Sequence, residues 1–231
     1  RIADALAAAI EQGEYRPGDT LPASVVLAEQ YGVHRHTVRQ AFRHLAECGL
    51  VTVSRGRGTQ VTAPRFPYRL GRRVSMRTNL GAAGIEVSSS VLAAEKIAGE
   101  AEACAMLKVE AGSPLWRIET LTLAGGTPVS TGIHLLPESR FPGFDKVLAE
   151  AGTSITAAFA ACGIPDYVRL STRLSARLAS EREAQLLRIA PGAAVMQSHA
   201  LDALPDLTPI HIVNSAFAGE RMEMVVEPFG D

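Results

Sequence analysis

From Cys48 through Ile85 the chain contains no acidic residue, although Arg55, Arg57, Arg65, Arg69, Arg72, Arg73 and Arg77 all fall there. A stretch of one sign suits a polyanion, because each phosphate neutralised releases counterions and adds affinity without sequence preference. A solvated basic linker is the plain alternative, and charge alone does not separate the two. Cysteine is scarce too. Cys48, Cys104 and Cys162 stand far apart and form no CxxC pair, which argues against a disulfide framework and for reduced thiols, most simply small buried hydrophobes. No apolar run approaches the ~18 to 20 residues that span a bilayer. The first ten residues, RIADALAAAI, lack the charged start and cleavage pattern of a secretion signal, so a cytoplasmic protein without membrane contact is expected.

What is present is ample apolar material, 47% of 231 residues, which excludes wholesale disorder and allows one or two packed domains. The net charge of −1 hides an asymmetry. Cut after Arg77, residues 1–77 carry twelve arginines against six acids, a net of +6, while residues 78–231 carry eleven cations against eighteen acids, a net of −7. The two parts have different electrostatic work to do.

Ile2, Leu6, Ala9 and Ile10 recur at helical spacing before Gly13, predicting a first amphipathic helix. Pro17-Gly18 marks a turn, and Ser24 is placed to cap a short helix whose apolar face is Val26, Leu27 and Tyr31. After Gly32-Val33 a further helix puts Val38, Ala41, Phe42 and Leu45 on one face and Arg35, His36, Arg39 and Arg43 on the other. Two helices joined by a glycine turn, the second with a basic outer face, predict a helix-turn-helix whose second helix enters the major groove. Leu50–Ser54 and Thr59–Thr62 are β-prone and joined by Arg55-Gly-Arg-Gly58, a hairpin tip with two arginines and no acid, the wing of a winged helix. His36 and His44 read as surface residues rather than metal ligands.

Gly18-x-x-Leu-Pro22, Leu27-Ala28, Gly32-Val33-x-Arg35-x-Thr-Val-Arg39, Leu45, Gly49-Leu50 and Gly56-x-Gly-Thr59 together resemble the DNA-binding signature of the GntR family of bacterial transcription regulators, over roughly residues 13–61. The resemblance implies DNA contacts from Arg35, His36, Thr37 and Arg39 on the recognition helix and from Arg55 and Gly56 at the wing tip. The chemistry is apt: arginine bonds guanine O6 and N7 bidentately, threonine reaches a phosphate or a thymine methyl, and a glycine N–H meets a backbone oxygen. His34 departs from the small hydroxyl residue usual in the family, which counts against a helix-capping role there.

Two prolines within residues 63–68 predict an extended linker between a winged-helix domain at 1–62 and a second domain at 69–231. In the second domain, strands are predicted at 86–94, 115–124, 127–136, 166–178, 194–204, 209–218 and 222–226, and helices at 100–107, 144–151, 154–162 and 180–187. The last of these helices carries a Ser180/Glu183 capping box. The class is α+β, sheet-dominated.

Gly125-x-x-Pro-Val129, Leu136-Pro137, Phe141-Pro142, Gly152-Thr-Ser154, Pro209-Ile210 and Phe217-x-Gly-x-Arg221 resemble, in order, the antiparallel-sheet sensor (UTRA) domain of the HutC subfamily of GntR regulators, a fold similar to chorismate lyase. Arg169-x-x-Thr-Arg173-x-x-Ala-Arg177 and His134 in Ser130-x-x-x-His134 are most similar to the regulators of phosphonate utilisation. That resemblance implies a small anionic effector, a phosphonate, phosphate or related metabolite, held by Met76, Arg77, Thr120, Thr122, His134, Ser154 and Thr156. Arg77 would supply charge where many family members carry arginines in place of Thr120 and Thr122. It also implies operator DNA as partner and repression relieved by ligand, and since a chain with one winged helix needs a partner to read a palindrome, a homodimer is expected. Two alternatives stand beside it: an enzyme, since the fold is lyase-like and His134, His199 and His211 lie in it, and a DNA-binding dimer without an effector. No Ser/His/Asp order, HExxH, cysteine pair or phosphate loop accompanies those histidines, so neither catalysis, a metal nor a cofactor is expected.

Overall fold

A computed structural model describes residues 1–54, 58–62, 65–71, 76–82 and 84–226. The chain divides into two compact units, 1–64 and 65–231.

In the first unit α1 (Ile2–Glu11), α2 (Ser24–Tyr31) and α3 (Arg35–Glu47) precede a hairpin of β1 (Val51–Ser54) and β2 (Gly58–Val61), paired antiparallel from Val51↔Val61 to Ser54↔Gly58. One cluster closes the unit: Leu6 from α1, Leu27 and Ala28 from α2, Val38, Phe42 and Leu45 from α3, and Val51 and Val61 from the hairpin. This is the winged helix-turn-helix. Two local expectations are corrected. Ala23, not Ser24, is the N-cap of α2, and its buried residues are Leu27 and Ala28, while Val26 and Tyr31 are 49% and 38% exposed. The adjacent pair Leu27-Ala28 faces α3, which rotates the apolar stripe away from Val26. His34 does cap α3: its Nδ1 accepts from the His36 N–H at 3.2 Å, an imidazole acceptor taking the place of a hydroxyl. Gly32 ends α2 in the left-handed region at φ +63°, which glycine adopts without a Cβ clash.

The second unit begins earlier than the sequence predicts. Residues 66–68, assigned to the linker, are part of β3 (Phe66–Leu70), which pairs in parallel with the last strand, β10 (Met222–Val226). Tyr68 is buried there against Phe217, ring centroids 5.2 Å apart, so burial of an aromatic outweighs the proline signal. The boundary also reassigns charge. Arg65, Arg69, Arg72, Arg73 and Arg77 belong to the second unit, leaving the first with seven arginines against six acids, a net of +1, and the second with sixteen cations against eighteen acids, a net of −2. After β3 comes α4 (Met76–Gly81), a turn of helix the sequence did not predict, tied to β3 by Asn79, whose side chain accepts from the Arg69 N–H at 2.8 Å and donates to the Arg69 carbonyl at 3.2 Å.

The remainder is β4 (Val87–Ala98), α5 (Ala101–Leu107), β5 (Pro114–Ala124), β6 (Thr127–Pro137), α6 (Phe144–Glu150), α7 (Ile155–Ala161), β7 (Val168–Leu178), α8 (Glu181–Leu187), β8 (Ala194–Ala203) and β9 (Pro209–Ala218). Six strands form one antiparallel sheet in the order β4-β5-β6-β9-β8-β7. Alternation along β5 separates its faces. Leu115 and Leu121 meet the helices α5 and α8, whereas Trp116 and Ile118 meet α6 and α7, where Phe141, Phe144 and Phe159 pack with centroids 5.3–5.8 Å apart. Trp116 Nε1 donates to the Phe141 carbonyl at 2.8 Å, satisfying the one polar group of that cluster's indole. The Ser180/Glu183 capping box forms as predicted, with Glu183 N to Ser180 Oγ at 3.3 Å and Ser180 N to Glu183 Oε2 at 2.9 Å. No helix among the described residues is long and apolar enough to cross a membrane.

Candidate functional site

In the first unit, burying Val38, Ala41, Phe42 and Leu45 leaves Arg35, His36, Thr37 and Arg39 exposed together on the first turns of α3. The first turn holds no acid, and the one carboxylate of the helix, Glu47, stands at its far end beside His44. Arg55 and Gly56, the expected wing-tip contacts, lie outside the described residues. The strands that carry them are present as β1 and β2, and a bridge from Thr20 to Gln60 braces the hairpin.

In the second unit, the α6/α7 face of the sheet is polar at one end, and a cavity of about 160 Å³ opens there. All seven expected effector residues line it: Met76 and Arg77 from α4, Thr120 and Thr122 from β5, His134 from β6, and Ser154 and Thr156 at the start of α7. Strand alternation explains the convergence, since even-numbered residues of β5 and β6 share a face with the odd-numbered residues of β9 across the register His134↔Val213. Hydroxyls dominate the wall. Ser89 Oγ lies 3.3 Å from Thr122 Oγ1, and Thr156 Oγ1 lies 3.1 Å from the Tyr167 hydroxyl. Ser154 Oγ accepts from the Ala157 N–H at 3.3 Å, so this hydroxyl caps α7 as well as facing the cavity. Thr153, on the rim, has φ +64°, an uncommon conformation for a β-branched residue, and its hydroxyl donates at 2.6 Å to the Ser89 carbonyl. Arg77 is exposed at the cavity and forms no ion pair among the described residues.

The deeper wall is a hydrogen-bonded chain. Thr120 Oγ1 lies 3.0 Å from His134 Nε2, His134 Nδ1 lies 2.9 Å from His211 Nε2, and His211 Nδ1 lies 2.9 Å from Asp202 Oδ2. Asp202 also pairs with Arg169 through both carboxylate oxygens. The two imidazole planes are 5° apart and their centroids 5.1 Å, about one N···N bond plus two ring radii, so the rings lie side by side in one plane. Gly132 makes this possible: a Cβ there would stand 3.0 Å from both Thr120 Oγ1 and His134 Nε2. Burial works to raise the Asp202 carboxyl, but the hydrogen bond from His211 and the guanidinium of Arg169 outweigh it and hold the group below the usual carboxylate range. Burial, reinforced by the adjacent His211, keeps His134 neutral to well below the ordinary histidine value.

Of the arginine series, only Arg169 reaches the cavity. A bulge between Arg169 and Ser171 reverses the alternation of β7, so Arg177 turns to the other face and pairs with Glu183, and Arg173 lines a separate groove with His199. Sequence reasoning did not single out Tyr68, Asp202 or His211 as part of this wall. A carboxylate inside the apolar run Ala200–Leu204 was the available signal, since such a group is buried only with partners. Among the described residues no group of three or more histidine, cysteine or acidic side chains is placed to hold a metal.

Comparison with known proteins completes the description. The profile of bacterial regulatory proteins of the gntR family matches residues 1–61, and the UTRA domain matches residues 82–223. An HTH-type transcriptional regulator of Rhizobium meliloti is 36% identical over 228 residues, covering 98% of this chain and 93% of the relative. The HTH-type transcriptional repressor PhnF of Mycolicibacterium smegmatis is 30% identical over 211 residues, covering 90% and 83%. The crystal structure of PhnF from Mycobacterium smegmatis superposes with a TM-score of 0.68 at 27% identity, covering 100% of both chains.

Proposed function

Because the chain belongs to the GntR family of bacterial transcription regulators and carries a UTRA effector-binding domain behind its helix-turn-helix, we propose that it is an operator-binding repressor released by a small anionic effector. Its relatives are transcription regulators and not enzymes, and with them the lyase-like fold is a sensor rather than a catalyst.

The observation that carries the anionic effector is the composition of the cavity. Its volume of about 160 Å³ suits a small ligand, its wall is rich in hydroxyl donors, and Arg77 stands at it as a cation not committed to an ion pair among the described residues. Arg169 is already neutralised by Asp202. A phosphonate or phosphate supplies the complementary charge and acceptors. Two relatives whose names mark them as repressors, PhnF and the mannosyl-D-glycerate system repressor MngR of Escherichia coli, support the repressor sense. The HutC-type assembly is a homodimer reading two half-sites about one helical turn apart, with Arg35, His36, Thr37, Arg39, Arg55 and Gly56 on the DNA. Effector binding shifts the population toward a conformation that no longer fits the operator.

The test is fluorescence anisotropy of the full chain on DNA from its own upstream region, at two salt concentrations, with and without phosphate and alkylphosphonates. Tight, salt-sensitive, selective binding weakened by one of these anions is expected. Selective binding unmoved by any anion refutes the effector class, and a monomeric mass in light scattering refutes the dimer.

A further inference from the structure

We propose that the chain Asp202–His211–His134–Thr120 couples anion binding in this cavity to the uptake of one proton, by switching the Thr120 hydroxyl from acceptor to donor. The inference rests on the effector site proposed above.

The hydrogen-bond directions are fixed from the acid end. The Asp202 carboxylate only accepts, so His211 carries its proton on Nδ1 and presents Nε2 as an acceptor. His134 must then donate from Nδ1, which leaves its Nε2 an acceptor, and the Thr120 hydroxyl donates to it. In this state Thr120 offers the cavity lone pairs only, and the Asp202/Arg169 pair behind it is electrically neutral. At this point of the wall an anion meets neither a donor nor a net positive charge.

One proton entering from the cavity reverses the whole chain. Thr120 passes its hydrogen to His134 Nε2 and takes the new one, His134 passes its Nδ1 hydrogen to His211 Nε2, and His211 becomes an imidazolium against Asp202. Three mobile hydrogens become four, and the cluster of Asp202, Arg169 and His211 gains a net charge of +1. Thr120 now receives a hydrogen bond from His134, and its own hydrogen is free for an acceptor in the cavity in preference to the long 3.5 Å contact with the Gly132 carbonyl. The wall then supplies a donor and a positive field.

The contact with the Asp202 carboxylate, 2.9 Å from its Nδ1, places the charge on His211. His134 is kept neutral by burial and by its neighbour, and Asp202 is held ionised. From β3 and the segment before β7, burial pushes the Tyr68 phenol up to about 12 and raises Tyr167, so both remain uncharged. Arg169 on β7 stays cationic against Asp202, and from α7 the uncharged Phe159 ring stands T-shaped to the His211 ring at 5.4 Å. The coplanar rings give the short in-line contacts a relay needs.

The experiment uses the full chain with 15N-labelled histidine, followed by long-range 1H–15N spectra between about pH 8 and about pH 5, with His134→Asn and His211→Asn for assignment. His134 is expected to move from the Nδ1–H to the Nε2–H form in the same step in which His211 becomes doubly protonated. Calorimetric titrations then use methylphosphonate and sulfate, the second because its own charge is constant over this range. Sulfate affinity should fall about tenfold per pH unit above the midpoint, one proton being linked to binding. Thr120→Val should remove that dependence while the thermal transition holds. Two rings titrating separately overturn the relay. A one-step titration with anion affinity independent of pH overturns the coupling but leaves the effector site standing, whereas no binding of either anion removes the effector class and the coupling with it.

Discussion

Replacing Asp202 by alanine removes the acceptor that Arg169 and His211 share, in side chains that are 2%, 11% and 4% exposed respectively. What is lost is not the net worth of a salt bridge. It is the cost of leaving a guanidinium almost out of water with no counter-ion. Breaking a buried pair from one side costs about 3–5 kcal/mol, whereas replacing the whole pair by apolar groups is often close to neutral. For a unit of this size each kcal/mol moves the transition by about 2–4 °C, so Asp202→Ala should lower the melting of the second unit by roughly 6–20 °C. Scanning calorimetry or near-ultraviolet circular dichroism on the full chain reads this; Trp116, the only tryptophan, lies in the second unit and makes its signal separable. Adding Arg169→Met should return a large part of the loss, because the uncompensated charge goes with it. A drop under about 1 kcal/mol in the single variant, or no recovery in the double one, would refute the claim that this pair is held together by mutual neutralisation.

Other consequences are read separately. Arg35→Ala should weaken operator binding by about 1–3 kcal/mol and flatten discrimination between matched and scrambled sequences in competition gel shifts, with unchanged melting, if the residue reads a base. Gly132→Ala should abolish the response to phosphonate while operator affinity without effector stays within about twofold, since the added methyl must push Thr120 and His134 apart yet lies far in sequence from the residues proposed to contact DNA; retained response in isothermal titration would count against the cavity. Glu183, hydrogen-bonded by Arg177 and by Ser180, is held down at about 2 against an ordinary 4.5. A depressed carboxyl stabilises the fold above its unfolded value, so this contribution should be complete above pH 4.5 and fade as pH falls toward 2. Partial exposure of Arg177 limits it to about 1 kcal/mol by screening, and Glu183→Gln should remove that share of the acid dependence.

Much was legible in the chain. Gly32 and Gly49 bracket the recognition helix, its two faces follow from a 3.6-residue period, and Ser180/Glu183 announced a cap that forms as written. The sheet strands were legible from alternation, β10 to the residue. Less local features were not. Phe66–Leu70 contains a proline and looks like linker, but a strand at the far end of the chain supplies its partner. Arg169, Arg173 and Arg177 share a face in any regular strand, and only the bulge after Arg169 separates them. His34 lacked the usual capping hydroxyl, yet its ring nitrogen reaches the same N–H.

The class of protein can be read along the chain, because winged-helix recognition is built from one contiguous segment whose helical period and turn glycines are local. The chain also nominated the seven residues that converge on the cavity, through motifs rather than through any visible proximity. How that cavity is wired emerges from the folded sheet alone. Thr120, His134, His211 and Asp202 come from four different strands, and a hydrogen-bonded chain among them depends on strand order and register, which no spacing along the chain encodes.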